Sequence, residues 1–272
     1  MKIHHLNCGS LFPRFPRAEA IVYCLVIETN QGLVLVDTGF GRQDYSNPSL
    51  LMRIFLKWMG VPCQMEETAA YQIEALGYEL SDVRNIVLTH LHLDHAGGLR
   101  DFPEASVHVN KAEYNAVMNP RGLMERAYDN VQWSHGPNWV VHEDADVDWF
   151  GLKSKSIIEE LAPETRLVPL PGHTRGHCGV AIATERGWLF QCGDAASPLH
   201  PLSDLHGLDS SHHAASVLPN WFARRVLGAH IPIVRALLKE HGDEIEIISA
   251  HDLYSFQKYT SNADLHTPPN PS

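Results

Sequence analysis

At 272 residues the chain is long enough to bury a substantial core without disulfide or metal staples. Apolar residues at 44% and charged residues at 19% exclude disorder, a collagen helix or a coiled coil as the main architecture. With 21 Lys and Arg against 32 Asp and Glu, the net charge of -11 argues against a protein that grips long nucleic acid by its phosphates. Short apolar runs separated by turn residues recur at 20–28, 33–36, 85–89, 106–109, 166–170, 180–183, 188–192 and 244–249, and several of them look like strands. Helical spacing falls between them at 49–59, 67–76 and 110–119, and again within 219–240. Asn110 and Glu113 have the spacing of a capping box, and Gly77 stands where the second helix should stop. Strands that lead early and late, with helices spread between, fit sheets packed face to face under helices better than a bundle. No internal repeat or Gly- or Ser-rich linker is present, so one domain is expected over 1–261, with a polar, Pro-rich, mobile tail at 262–272.

The first ten residues carry no basic stretch followed by an apolar one, and no run approaches the ~18 apolar residues of a membrane span. A cytoplasmic protein without a membrane partner is the expectation. Cys8, Cys24, Cys63, Cys178 and Cys192 are odd in number and form no C-x-x-C pair, which suggests neither a disulfide framework nor a Cys-rich zinc site. The 18 His exceed what packing requires, so metal ligation or proton transfer becomes the first chemical question.

The densest cluster is Thr89-His90-Leu91-His92-Leu93-Asp94-His95-Ala96-Gly97-Gly98, which follows the strand-like Ile86-Val87-Leu88. In an extended segment alternate side chains share a face, so His90, His92 and Asp94 are expected to point one way before a turn redirects His95. One short loop can then serve two adjacent ions. Three further segments each end a strand-like run on a candidate ligand: 168–173 at His173, 189–194 at Asp194 and 247–252 at His251. Strand ends let a rigid sheet fix ligand geometry.

Taken in order, these four segments resemble the motifs of the metallo-β-lactamase superfamily, and Val36-Asp37-Thr38-Gly39 resembles its early Asp-containing turn. The resemblance spans about residues 3–252. It implies an α/β fold, an αββα sandwich of two mixed sheets flanked by helices, with metals at one edge. It also implies that His90, His92 and His173 hold one metal, that Asp94, His95 and His251 hold a second, and that Asp194 bridges them. Asp94 and Asp194 are then the catalytic carboxylates, and Asp37 is a structural turn residue. Imidazole and carboxylate donors suit Zn, Fe, Mn or Co, and two zinc ions are expected. Two divalent ions outweigh the two carboxylates, which leaves positive charge for a bridging hydroxide and an anionic intermediate.

Within the superfamily, the size, the single-domain layout and the Ser249-Ala250-His251-Asp252 ending are most similar to the quorum-quenching N-acyl homoserine lactonases. That branch implies a small-molecule ester or lactone substrate, opened by a metal-bridging hydroxide in a monomer or homodimer. The main alternative is a thioesterase of the glyoxalase II type, which usually adds a C-terminal helical region, whereas 21 residues follow His251 here. An alternative from another class is a non-hydrolytic, metal-bound redox or binding protein. Many lactonases place a Tyr three residues after the bridging Asp; this chain has Ser197, so His200 or another group would have to take its part.

Outside the ligand set, His177 fits a hydrogen-bond partner behind the ligands or a structural residue about equally well. Cys178 and Cys192 are expected to be buried bystanders, and His212 and His213 to be exposed. Segments 11–17 and 51–59 carry more apolar surface than a solvated loop and helix need. Core packing, a dimer interface and an apolar substrate channel all remain open for them.

Overall fold

The computed structural model describes residues 2–14, 17–121, 124–143, 146–157, 163–195 and 230–263. Its layering follows from one strand, β2 (Ala20–Thr29), an apolar run buried on both faces. Ile21, Tyr23, Leu25 and Ile27 point one way and meet Leu167, Val180, Ile182 and Leu189 of a second sheet. Ala20, Val22, Cys24 and Val26 point the other way and pack with Met52, Leu56, Ala70 and Ile73 of covering helices.

The first sheet has the order β1 (Ile3–Leu11), β2, β3 (Gly32–Val36), β4 (Val83–Val87), β5 (Ser106–Asn110) and β6 (Asn138–His142). Its first two pairings are antiparallel and the other three parallel. The second sheet comprises β7 (Val147–Trp149), β8 (Leu152–Ser156), β9 (Thr165–Pro169), β10 (Cys178–Thr184), β11 (Gly187–Gln191) and β12 (Ile245–Ile248), laid side by side in sequence order. There only β11 and β12 run parallel. On the outside of the first sheet lie α1 (Arg42–Ser46), α2 (Leu50–Met59), α3 (Ala69–Ala75) and α4 (Lys111–Met118). Val234 and Leu237 of α5 (Ile231–His241) cover the outside of the second, against Val168, Phe190 and Ile247. The last described helix is α6 (Leu253–Ala263), whose Leu253, Phe256 and Tyr259 pack against the core between the sheets. The described residues thus form two mixed six-stranded sheets flanked by helices, the αββα sandwich expected.

Each of the eight apolar runs overlaps a strand. β1, β6, β7 and β8 were not expected, because polar residues interrupt their apolar pattern: β1 carries His4, His5, Asn7 and Ser10 and shifts register between Asn7 and Ser10. The helices begin where polar caps stop them, α2 at Ser49, whose Oγ accepts the Met52 amide, and α3 at Thr68, which accepts that of Tyr71. Gly77, at φ +90, ends α3 as expected. The capping box at α4 is only half formed: Asn110 Oδ1 accepts the Ala112 amide, but the Glu113 carboxylate turns inward to other partners. The helix expected within 219–240 is seen from Ile231, the residues before His230 lying outside those described. α6 extends through Ala263, two residues into the segment expected as a tail, and 264–272 lie outside the described residues. No helix among the described residues is long and apolar enough to cross a membrane. On α2, Met52 and Leu56 are buried while Leu50, Ile54 and Trp58 are exposed, so core packing accounts for only part of its apolar surface.

One buried group away from the sheet ends gives a test of stability. His108 on β5 donates from Nε2 to Asn85 Oδ1 (3.0 Å), which leaves Nδ1 to accept from His142 Nε2 (2.9 Å). Burial, helped by His142, pushes its pKa down to about 3. The unfolded chain, with an ordinary histidine, takes the proton first. The contribution is therefore whole above about pH 6.5 and is lost as the pH falls toward 3. His108→Gln should flatten the loss of stability between about pH 6 and pH 4, by up to roughly 1.4 kcal/mol per pH unit. Urea titrations across that range check this, and an unaltered slope would show that His108 does not set it.

Candidate metal centre

The candidate ligands leave the carboxyl ends of strands from both sheets. β4 runs into the loop carrying His90 to His95, while β9, β11 and β12 lead to His173, Asp194 and His251. The structure gathers these seven side chains into two groups, all buried: His90, His92, His173 and Asp194, and Asp94, His95 and His251. Within each group one donor atom per residue lies within 4.8 Å of the others. Asp194 faces both. Its Oδ2 is 3.1 Å from His173 Nε2 and 3.9 Å from His90 Nε2, while its Oδ1 is 3.4 Å from His95 Nε2 and 3.3 Å from His251 Nε2. One expectation needs correcting. Asp94 does not share a face with His90 and His92, because the turn begins earlier: the amides of His95 and Ala96 both bond His92 O, and Asp94 swings to His95 and His251. Leu91 and Leu93, alternating with the histidines, anchor the loop in the core under the helices.

Most of the imidazoles are oriented from behind, through the nitrogen that faces away from the centre. His95 Nδ1 donates to Asp37 Oδ2 (2.9 Å), His251 Nδ1 to Ile21 O (2.8 Å) and His92 Nε2 to Met124 O (2.9 Å). His90 Nδ1 meets Thr89 Oγ1 (3.0 Å), whose hydroxyl donates to Asp37 Oδ2 while the Thr89 amide donates to Asp37 Oδ1, both at 2.8 Å. Asp37, left-handed at φ +53, therefore holds His95 directly and His90 through Thr89 and belongs to neither donor group. His177 is buried and reads as a hydrogen-bond partner. Its Nδ1 donates to Leu170 O (3.0 Å) and its Nε2 accepts the Asp194 amide (2.9 Å). Gly193 makes that approach possible, since a Cβ there would lie 2.6 Å from His177 Nε2.

The carboxylates dominate the electrostatics of the centre. Burial opposes charge on His95, yet Asp194, Asp94 and Asp37 together carry its pKa up to about 10. His251 is raised against its burial by Asp194 and Asp94. Burial would also raise Asp194, but His251, His95 and His173 hold it well below the ordinary carboxylate range. His90 and His92 are driven well down by burial and neighbouring imidazoles. Among the buried atoms of the seven candidate ligands, His95 Nε2 and Asp194 Oδ1 lack a well-aligned hydrogen bond, and they face each other across 3.4 Å. A buried anionic oxygen beside an imidazole nitrogen, both unsatisfied, is the arrangement a divalent cation completes.

Cys178 and Cys192 are buried and belong to neither group, and burial pushes the Cys178 thiol up, away from nucleophilic use. Ser197, His200, His212 and His213 lie outside the described residues, as does Phe15. Some of these partners leave little mark in the sequence. Met124 O and Ile21 O are backbone atoms without a side-chain signature, and Glu113 was visible only as a cap residue.

The sequence pattern of the metallo-beta-lactamase superfamily matches residues 18–217. The chain belongs to that superfamily. A probable metallo-hydrolase of Mycobacterium tuberculosis is 39% identical over 264 residues, which are 96% of this chain and 84% of that one. An N-acyl homoserine lactonase of a Bacillus species is 31% identical over 186 residues, 68% of this chain and 67% of that one. Among solved structures, an N-acyl homoserine lactone hydrolase with N-hexanoyl-L-homoserine bound at its catalytic metal centre superposes with a TM-score of 0.68. It is 21% identical and covers 94% of this chain and 95% of its own. AidC, a dizinc quorum-quenching lactonase, gives a TM-score of 0.54 at 18% identity over 87% and 74%. At such identities the structural likeness is one of fold. With its His and Asp metal site, this superfamily member is a metallo-hydrolase.

Proposed function

We propose that the chain holds two divalent cations, zinc foremost, and hydrolyses a small-molecule ester or lactone, with N-acyl homoserine lactones as the substrate class. The observation that carries the two-cation reading is Asp194, whose two carboxylate oxygens face different sets of imidazoles. His90, His92 and His173 would hold one cation and Asp94, His95 and His251 the other, with Asp194 serving both. Bound there, such a pair supplies an acidic water near neutral pH and a Lewis acid for the scissile carbonyl. The chain's own part is to keep donors fixed and dry: Asp37 and the carbonyls of Ile21 and Met124 orient the rings, and His177 fixes the Asp194 backbone. The named lactonase relative, 31% identical over two thirds of each chain, supports the substrate class. Preference for an apolar acyl chain would come from Phe12 and Trp58, both exposed, the Phe12 amide bonding Met59 O at the end of α2. The enzyme would work in the cytoplasm as a monomer or homodimer, with neither nucleic acid nor membrane as partner.

A turnover panel tests this. Metal-replete protein should open N-hexanoyl and N-decanoyl homoserine lactone to the free acids, with the longer chain favoured. Trp58→Ala should narrow that preference by roughly tenfold, the worth of one or two buried methylenes. Fast cleavage of a glutathione thioester without lactone opening would move the enzyme to the thioesterases. Two bound cations with no hydrolysis of either would leave a redox or binding protein.

A further inference from the structure

We infer that Glu113 is a positioning residue for the cation held by His90, His92 and His173, a buried carboxylate that ties together the two loops bearing those ligands. Its Oε1 accepts the Leu91 amide (2.9 Å) and the Tyr128 hydroxyl (3.0 Å), and its Oε2 accepts the Thr174 hydroxyl (2.6 Å) and the Gly176 amide (3.2 Å). Leu91 lies between His90 and His92, and Thr174 follows His173. Tyr128 comes from the stretch whose Met124 O takes the His92 Nε2 hydrogen, and its ring centre is 5.6 Å from that of His92. Each of the three imidazoles is thus adjacent to a bond made to this one side chain.

Four donors match the four lone pairs of a carboxylate, and two of them are backbone N–H groups that cannot reverse. Burial pushes the Glu113 carboxyl up and the four donors oppose it. The contact is close by construction, since a Cβ on Gly176 would lie 1.9 Å from the Glu113 amide nitrogen. The other group is held differently, His95 by Asp37 and His251 by Ile21 O. Glu113 therefore governs one cation more than the other.

The inference rests on the two-cation reading, and one experiment separates their failures. Cobalt(II) titrated into the full metal-stripped chain, followed by its visible bands with a competing chelator, should give two binding steps. His251→Ala, which removes a donor of the second group, identifies which step is which. Glu113→Gln keeps the size but turns an NH2 toward one backbone N–H. It should weaken the first-group step 10- to 100-fold and leave the other within about threefold, with altered bands for the weakened site. A fall in the melting temperature of the metal-free variant with both steps as in the wild type would mean a merely structural role and overturn the inference. Equal weakening of both steps would overturn it too. Should Glu113→Gln fail to fold, Thr174→Val removes a single donor from the same carboxylate and should weaken the same step by a smaller factor. No change in that variant counts equally against the inference. A wild-type chain that binds neither ion would defeat the metal centre and this inference together, whereas two ions bound with Glu113→Gln unaltered defeats the inference alone.

Discussion

Asp194→Ala should leave no more than one tightly held cation per chain and reduce hydrolysis by more than about a hundredfold. Changing a group that merely orients a ligand already costs 10- to 100-fold, and here a donor facing both groups is deleted. The loss is twofold in kind. The shared carboxylate would offset repulsion between neighbouring cations, and it is the main charge holding up the His95 and His251 pKa values. The backbone should stay in place, because His177 grips the Asp194 amide and not its side chain. Metal analysis of the purified variant beside its turnover decides the matter. Two equivalents of metal with near-normal turnover would show that Asp194 has been given the wrong role.

The second large effect is expected at Asp37, which belongs to neither donor group. Asp37→Asn suits the left-handed backbone, since Asn tolerates that conformation, so the experiment isolates the hydrogen bonds. The carboxylate accepts from the Thr89 amide, the Thr89 hydroxyl and His95 Nδ1. An Asn can accept on only one of the two sides. Either His95 loses its orienting partner or the buried Thr89 amide is left facing an NH2. Affinity for the cation of the second group should fall 10- to 100-fold, with a smaller loss at the first, which Asp37 reaches only through Thr89 and His90. Competition with a chelator measures both affinities, and equal or absent losses would contradict this chain of contacts.

The candidate site was legible wherever its chemistry is linear in sequence. Four candidate ligands in six positions after an apolar strand stand out from packing, and the other three candidates each close an apolar run. What orients them was not legible. Leu91 and Glu113 are 22 residues apart, His92 and Met124 are 32 apart, and His251 and Ile21 are 230 apart. Two of those three partners are carbonyls that any residue could supply. The strands divide in the same way. β2 announces itself because both its faces are buried, whereas β8, reading Leu-Lys-Ser-Lys-Ser, takes its strand conformation from its neighbours in the sheet. Asp94 was misplaced because an alternating pattern does not reveal where extension gives way to a turn.

The origin of the donors has a consequence for the whole sandwich. His90, His92, Asp94 and His95 hang from the first sheet, and His173, Asp194 and His251 from the second, so each group draws on both. A cation seated in either group would cross-link sheets that otherwise meet through apolar side chains and a few hydrogen bonds, such as those from Gln191 Nε2 to Tyr23 O and from His251 Nδ1 to Ile21 O. Its binding free energy is then coupled to holding the layers together, about 2.7 kcal/mol for a cation at one hundred times its dissociation constant. Stripping the metal should therefore loosen the sheets as well as silence the enzyme, with the earliest hydrogen exchange at the strand ends around the ligands.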